Sequence, residues 1–246
     1  MILSRVIEHV KAQHWTAVFL DFVIVVLGVF IGLQVQDWNT ARAARTELNH
    51  QLVGFRIELE ENQAHFSEYR AELTGQMEDV AAMRAAFKSG AASIDAEEIS
   101  ARLVNVARVK VFAPDLAALT ELRDSGGLRR LADKDIRAAI TDWERSLAEV
   151  SRKYGDGLRE RDTVLIPYMM QNIAYGPLLE KSSLVADTVG VSKFRNDFAA
   201  LADSREFDNQ IAYRYGNCGS TIHSLDKLDV ETAQLVEALR AREATQ

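Results

Sequence analysis

The sequence predicts an all-α protein: one N-terminal transmembrane helix that continues into a long helix, followed by an antiparallel helical bundle. Three observations carry this. The run from Ala17 to Val35 is almost wholly apolar and lies between Trp15 and Trp38, and about 20 such residues cross the hydrocarbon core of a bilayer. From Leu48 to Phe87, apolar residues recur in alternating steps of four and three, the period of a buried helix face. The 246 residues include only 3 Pro and 13 Gly, punctuation too sparse for many short strands. The chain therefore divides into an interfacial segment at 1–14, a membrane span at 15–38 and a soluble α-helical bundle domain at 39–246.

Composition narrows the function classes. A hydrophobic share of 48% with 26% charged residues excludes global disorder. The net charge is -7, and residues 39–246 hold 27 basic against 33 acidic side chains. An acidic body with no basic block argues against nucleic acid, whose binding needs clustered Lys and Arg to displace counterions. Cys218 is the only cysteine, so neither an intrachain disulfide nor a cysteine-based zinc site can form. It reads as a small buried residue.

Within 1–14, Ile2, Leu3, Val6, Ile7 and Val10 share one helical face, and Arg5, Glu8, His9 and Lys11 lie away from it. Such an amphipathic segment suits the membrane interface. His9 and His14, five residues apart, do not form a helical ligand pair and read as interfacial. Trp15 and Trp38 would sit about 35 Å apart on a helix, matching an aromatic anchor at each interface. The competing reading is a cleaved signal peptide, for which Ala41-Arg42-Ala43 supplies an A-x-A pattern. The apolar run is longer than an ordinary signal core, which favours an uncleaved anchor. Arg5 and Lys11 precede the span and Arg42, Arg45 and Arg56 follow it, so charge bias leaves orientation open. The preferred topology puts the N-terminus in the cytoplasm and the body in the periplasm of a bacterial inner membrane.

Asp21 interrupts the apolar run, and an ionised carboxylate alone at that depth costs several kcal/mol. Asp21, Val25, Gly28, Gly32, Val35 and Asn39 fall on one helical line. Gly28 and Gly32 form a GxxxG pair, which lets two helix backbones approach closely. Two readings of Asp21 stand: a tolerated acid near the interface, or a packing or coupling residue facing a partner helix.

The stretch FVIVVLGVFIGLQVQDWNTAR (22–42), with an acid just upstream and Trp-Asn at its exit, resembles a large group of uncharacterised bacterial single-pass membrane proteins. LTELRDSGGLRRLADKDIRAAITDWERSL (119–147) resembles the same group's helix, Ser-Gly turn and following helix, and REFDNQIAYRY (205–215) its last helix more weakly. The two stronger matches cover about a fifth of the chain. The resemblance implies architecture and location and brings no catalytic residue. The group often carries Glu where this chain has Asp21.

Downstream, Leu48, Leu52, Phe55, Leu59, Asn62, Phe66, Tyr69, Leu73, Gln76, Val80, Met83 and Phe87 form a heptad seam. It is either the core face of a long helix in its own bundle or an intermolecular coiled coil, and Asn62 and Gln76 could set register in both. His50 and His65 sit on a charged face. Ser89-Gly90 should stop the helix. Ser93 or Asp95 should cap a helix reaching about Val109, and Pro114 should open another at its first position. Ser125-Gly126-Gly127 reads as a tight turn, since it lacks the preceding strand and following Lys-Ser/Thr of a phosphate loop. Asp133 should cap a helix whose stripe is Ile136, Ile140, Trp143, Leu147 and Val150. Pro167 should kink or restart that helix, within an apolar patch (Tyr168, Met169, Met170, Tyr175) that is core or a partner surface. Residues 176–192 read as a loop and Phe194–Leu201 as a short helix. Asp203 or Ser204 should cap a final helix with Phe207, Ile211, Tyr215, Ile222, Leu225, Leu228, Leu235 and Leu239 on its buried face. Gly216 and Gly219 would mark a bend or close packing, and His223 a core or boundary position.

No HExxH, GxSxG or GxGxxG motif and no Cys/His nucleophile arrangement occurs in the sequence. No catalytic, cofactor-binding or metal residue is therefore assigned. The expected function is that of a membrane-anchored structural or interaction protein: a subunit of a homo- or hetero-oligomeric membrane complex. Its partners are the lipid bilayer and either itself or another membrane protein, with Asp21, Val25, Gly28 and Gly32 as association residues and Trp15 and Trp38 as interface anchors. The alternatives are a periplasmic helical-bundle sensor or ligand-binding module working through a separate signalling partner, and ion-coupled work at Asp21 inside a complex.

Overall fold

The computed structural model describes residues 15–90, 95–179 and 192–245, with side chains from Phe19 onward except Asp21. The expected interfacial segment 1–14, the Ser93 cap, most of the 176–192 loop and the side chains of Trp15 and Asp21 lie outside the described residues. The described chain is all-α, with no strand among the described residues. It comprises α1 (Trp15–Lys88), α2 (Ala96–Ala107), α3 (Ala117–Asp124), α4 (Gly127–Arg130), α5 (Lys134–Glu160), α6 (Ile166–Asn172), α7 (Tyr175–Leu179), α8 (Phe198–Ala202) and α9 (Arg205–Glu243). The apolar N-terminal helix does run on without a break to Lys88. The chain divides within it into two compact units, Met1–Gln51 and Leu52–Gln246.

In the first unit the described side chains from Phe19 to Trp38 are exposed almost without exception. In the second unit, the seam from Leu52 to Met83 is buried. Those side chains are consumed by the chain's own core, and a coiled coil between chains would need the same ones. The pairing of side chains fixes the directions of the three long helices. Arg70 meets Asp229, and Arg84 meets Asp208, so α9 runs antiparallel to α1. Trp143 pairs with Thr232 and Glu160 with Arg214, so α9 is antiparallel to α5 as well. Phe55 against Trp143 and Tyr69 against Tyr154 then set α1 and α5 parallel. Parallel neighbours need a return connection, and α2, an extended stretch at 108–116, α3 and α4 supply it.

Most starts and stops follow local chemistry. Gly90, with φ +96, ends α1 in the left-handed region that favours glycine. Asp95, Asp133 and Ser204 cap α2, α5 and α9 through their side chains. Gly126, with φ +73, makes the tight turn between α3 and α4. Gly155 and Gly157 do not stop α5. It passes into a π-helical turn at Arg161–Leu165 and on into α6, an adjustment that accommodates Pro167, which has no N–H to donate. Leu165, Tyr168, Met169 and Ile173 are core, packed with Val80, Met83 and Phe207 at one end of the bundle, whereas Met170 is exposed.

Six expectations need correction. Pro114 does not open a helix: α3 begins at Ala117, because its first N–H groups are taken by the carboxylates of Asp115 and Glu58. α2 ends at Ala107, two residues early, where Arg108 turns extended. The short helix starts at Phe198 because Asp197 accepts the Ala199 and Ala200 N–H groups, leaving Phe194 exposed. Tyr215 is exposed rather than buried, and His223 is also exposed. Gly216 and Gly219 lie inside an unbroken α9. A methyl on Gly219 would make ordinary contact with Met77 at 3.5 Å.

Candidate functional site

Two places concentrate features that a plain bundle does not require. The first is the outward face of the apolar helix. On the line predicted from sequence, Val25 and Val35 are exposed, and a methyl built on Gly28 or Gly32 would meet nothing within 4 Å. Each glycine leaves a shallow notch in an otherwise bulky apolar surface of Phe, Ile, Leu and Val. The helix is long and apolar enough to cross a membrane, and its most apolar stretch is unburied. Trp38 is exposed, with the Arg42 guanidinium over its ring at 5.6 Å. Trp15 belongs to the same helix by its backbone, as does Asp21.

The second place is a polar knot inside the bundle that the sequence did not reveal. Arg214 of α9 is buried, and so is Glu160 of α5. One Arg214 Nη1 donates to Glu160 Oε2 at 3.3 Å, and Nη2 donates to Gln76 Oε1 at 2.8 Å and towards the Arg108 carbonyl at 3.4 Å. Cys218 Sγ donates to the same Gln76 oxygen at 3.5 Å. The guanidinium passes close to Gly157, where an added Cβ would make ordinary contact with Arg214 Nη1 at 3.7 Å. The pairing is incomplete, since Glu160 Oε1 and Arg214 Nε have no partner. Burial raises the Glu160 carboxyl above the ordinary carboxylate range, and Arg214 only partly offsets it. The Cys218 thiol and the Tyr69 hydroxyl are likewise pushed up by burial, so both stay protonated, the opposite of an activated nucleophile. The adjoining cavity, lined by Tyr69, Gln76, Tyr154 and Arg214 among others, measures about 20 Å³, room for one water.

No protein-family model, no curated protein and no solved structure matches this chain.

The knot belongs to a larger device that holds the return segment. Asn62 donates Nδ2–H to the Asp115 carbonyl at 2.7 Å and accepts the Asp115 N–H at 2.9 Å. Two heptads along, Gln76 donates to the Arg108 carbonyl at 2.8 Å. Fourteen helical residues rise about 21 Å, and seven extended residues span about 23 Å. The two amides therefore grip the two ends of one stretched segment laid antiparallel along α1. Between them Phe112 stacks on Phe66 and tilts against Tyr69. Glu58 continues the row, accepting the Ala118 and Leu119 N–H groups at the start of α3. Burial raises its carboxyl above the usual range despite those two bonds. Among the described residues no cluster of three or more His, Cys, Asp or Glu is arranged to hold a metal.

Proposed function

We propose that this protein is a single-pass bacterial inner-membrane protein of the group its span resembles, working as a structural or interaction subunit. Its span associates with a second copy or with another membrane protein through Asp21, Val25, Gly28 and Gly32. The N-terminus lies in the cytoplasm and the helical body in the periplasm. One observation carries the reading: Gly28 and Gly32 form a notched line on an exposed apolar helix, while the polar body satisfies its own seam internally. In lipid, where apolar side chains gain nothing by leaving their surroundings, close backbone approach at small residues is what favours pairing. At the polar knot the cavity has room for a single water, which argues against a ligand site at that place.

A bacterial membrane two-hybrid assay on the full chain tests this. Replacing Gly28 and Gly32 together with Ile should reduce association to background, whereas Val29→Ile, off the line, should leave it intact. Unchanged association of the double variant would overturn the reading. A C-terminal alkaline phosphatase fusion should be active, and an inactive fusion would reverse the topology.

A further inference from the structure

We infer that the exit of the span carries a binding site for the phosphate headgroup of anionic phospholipids, formed by Arg42 and Arg45 with Trp38 as its floor. The inference rests on the reading that the helix crosses a membrane. At 100° per residue, Trp38, Arg42 and Arg45 fall within about 60° of one another around the helix. Asp37 lies about 100° away and Glu47 opposite, so no carboxylate shares their sector. Among the described residues, neither guanidinium has a carboxylate partner, although Arg56, Arg70, Arg84 and Arg102 farther along the chain all do. Two like charges three residues apart on one face repel, and an anion between them removes that repulsion.

Position and direction fit a phosphate. Arg42 and Arg45 rise about 6 and 10 Å beyond Trp38, the depth at which headgroups begin when Trp marks the interface. Helical side chains lean toward the N-terminus, which here is toward the bilayer. The Arg42 guanidinium is already drawn that way, 5.6 Å from the Trp38 ring centroid. With the guanidinium over the ring, its N–H groups remain available to donate to phosphate oxygens in the paired geometry that guanidinium favours. The sector is also turned away from Gly28 and Gly32 by about a quarter turn, so lipid can reach it while the glycine line is engaged.

The test is electron paramagnetic resonance on the full chain reconstituted in phosphatidylcholine vesicles, with trace spin-labelled phosphatidylglycerol or spin-labelled phosphatidylcholine. The motionally restricted fraction should favour phosphatidylglycerol severalfold at low salt, by up to about fivefold per arginine, and the preference should shrink in molar salt. Arg42→Gln with Arg45→Gln should bring the ratio to one, and Trp38→Leu should reduce it. A restricted component with no headgroup preference in the native chain, or a preference that survives the double variant, would overturn the inference while leaving the span in place. No restricted component with either lipid would instead overturn the membrane-spanning reading beneath it.

Discussion

Replacing Asn62 by Leu separates the two uses that its heptad position could have. Asn62 is fully buried and its amide makes both a donated and an accepted bond to the Asp115 backbone. Leu keeps the branched outline and the number of side-chain heavy atoms, although its two methyls are bulkier than the amide oxygen and NH2, so any overpacking adds to the destabilisation. What is lost is two hydrogen bonds, each contributing about 1 kcal/mol net, or about 2 kcal/mol in all. For a body of this size each kcal/mol moves Tm by about 2–4 °C, so Asn62→Leu should lower Tm by about 4–8 °C. The assay is a thermal melt of the full chain in mild detergent, followed by near-ultraviolet circular dichroism, with light scattering to read the oligomeric state. The oligomeric state should not change, because the residue anchors a segment of its own chain. An unchanged or raised Tm, or a switch in oligomeric state, would refute this and return Asn62 to a register role between chains.

Two further predictions concern the body. Glu160 titrates above its unfolded value because it is buried, so the folded state holds its proton more tightly and native stability falls as pH rises through that window. Relative to Glu160→Gln, whose side chain does not ionise, the native protein should therefore lose stability as pH rises above the ordinary carboxylate range in urea titrations; a constant difference would show that Glu160 does not titrate as described. Gly126→Ala places a side chain at φ +73 and within 3.1 Å of the Arg129 guanidinium, and should lower stability by about 1–2 kcal/mol in the same titrations, with a neutral result refuting the turn's need for glycine.

Periodicity made the long elements legible. The buried seam of α1 from Leu52 to Met83 is the one its heptads specify, and Asp95, Asp133 and Ser204 cap as their position before an apolar stripe suggests. Long-range polar contacts were not legible, and they account for the misplaced ends. α3 starts at Ala117 because Asp115 accepts the Ala117 N–H and Glu58, sixty residues earlier, accepts that of Ala118; only the first of these partners lies near Pro114. α2 stops at Ala107 because the Arg108 carbonyl is claimed by Gln76. Asn62 and Gln76 stood out as polar residues on an apolar seam, but their partner, an extended stretch of the same chain, has no period to read. Arg214 and Glu160 are ordinary charged residues on helices until the fold brings them together. The glycine line of the span was visible because helical register alone defines it, with no distant contact required.

Disulfide scanning along the span in native membranes decides whether the glycine line is the face through which the helix associates. Cys218 is the only cysteine, so Cys218→Ser gives a clean background for single cysteines at successive positions from 25 to 35. Oxidation should trap a cross-linked species, between two copies or to one partner, with maxima at Val25, Gly28, Gly32 and Val35 and minima at Val26, Phe30 and Leu33. Uniform cross-linking, or maxima on the Val26–Phe30–Leu33 face, would contradict association through the glycine line.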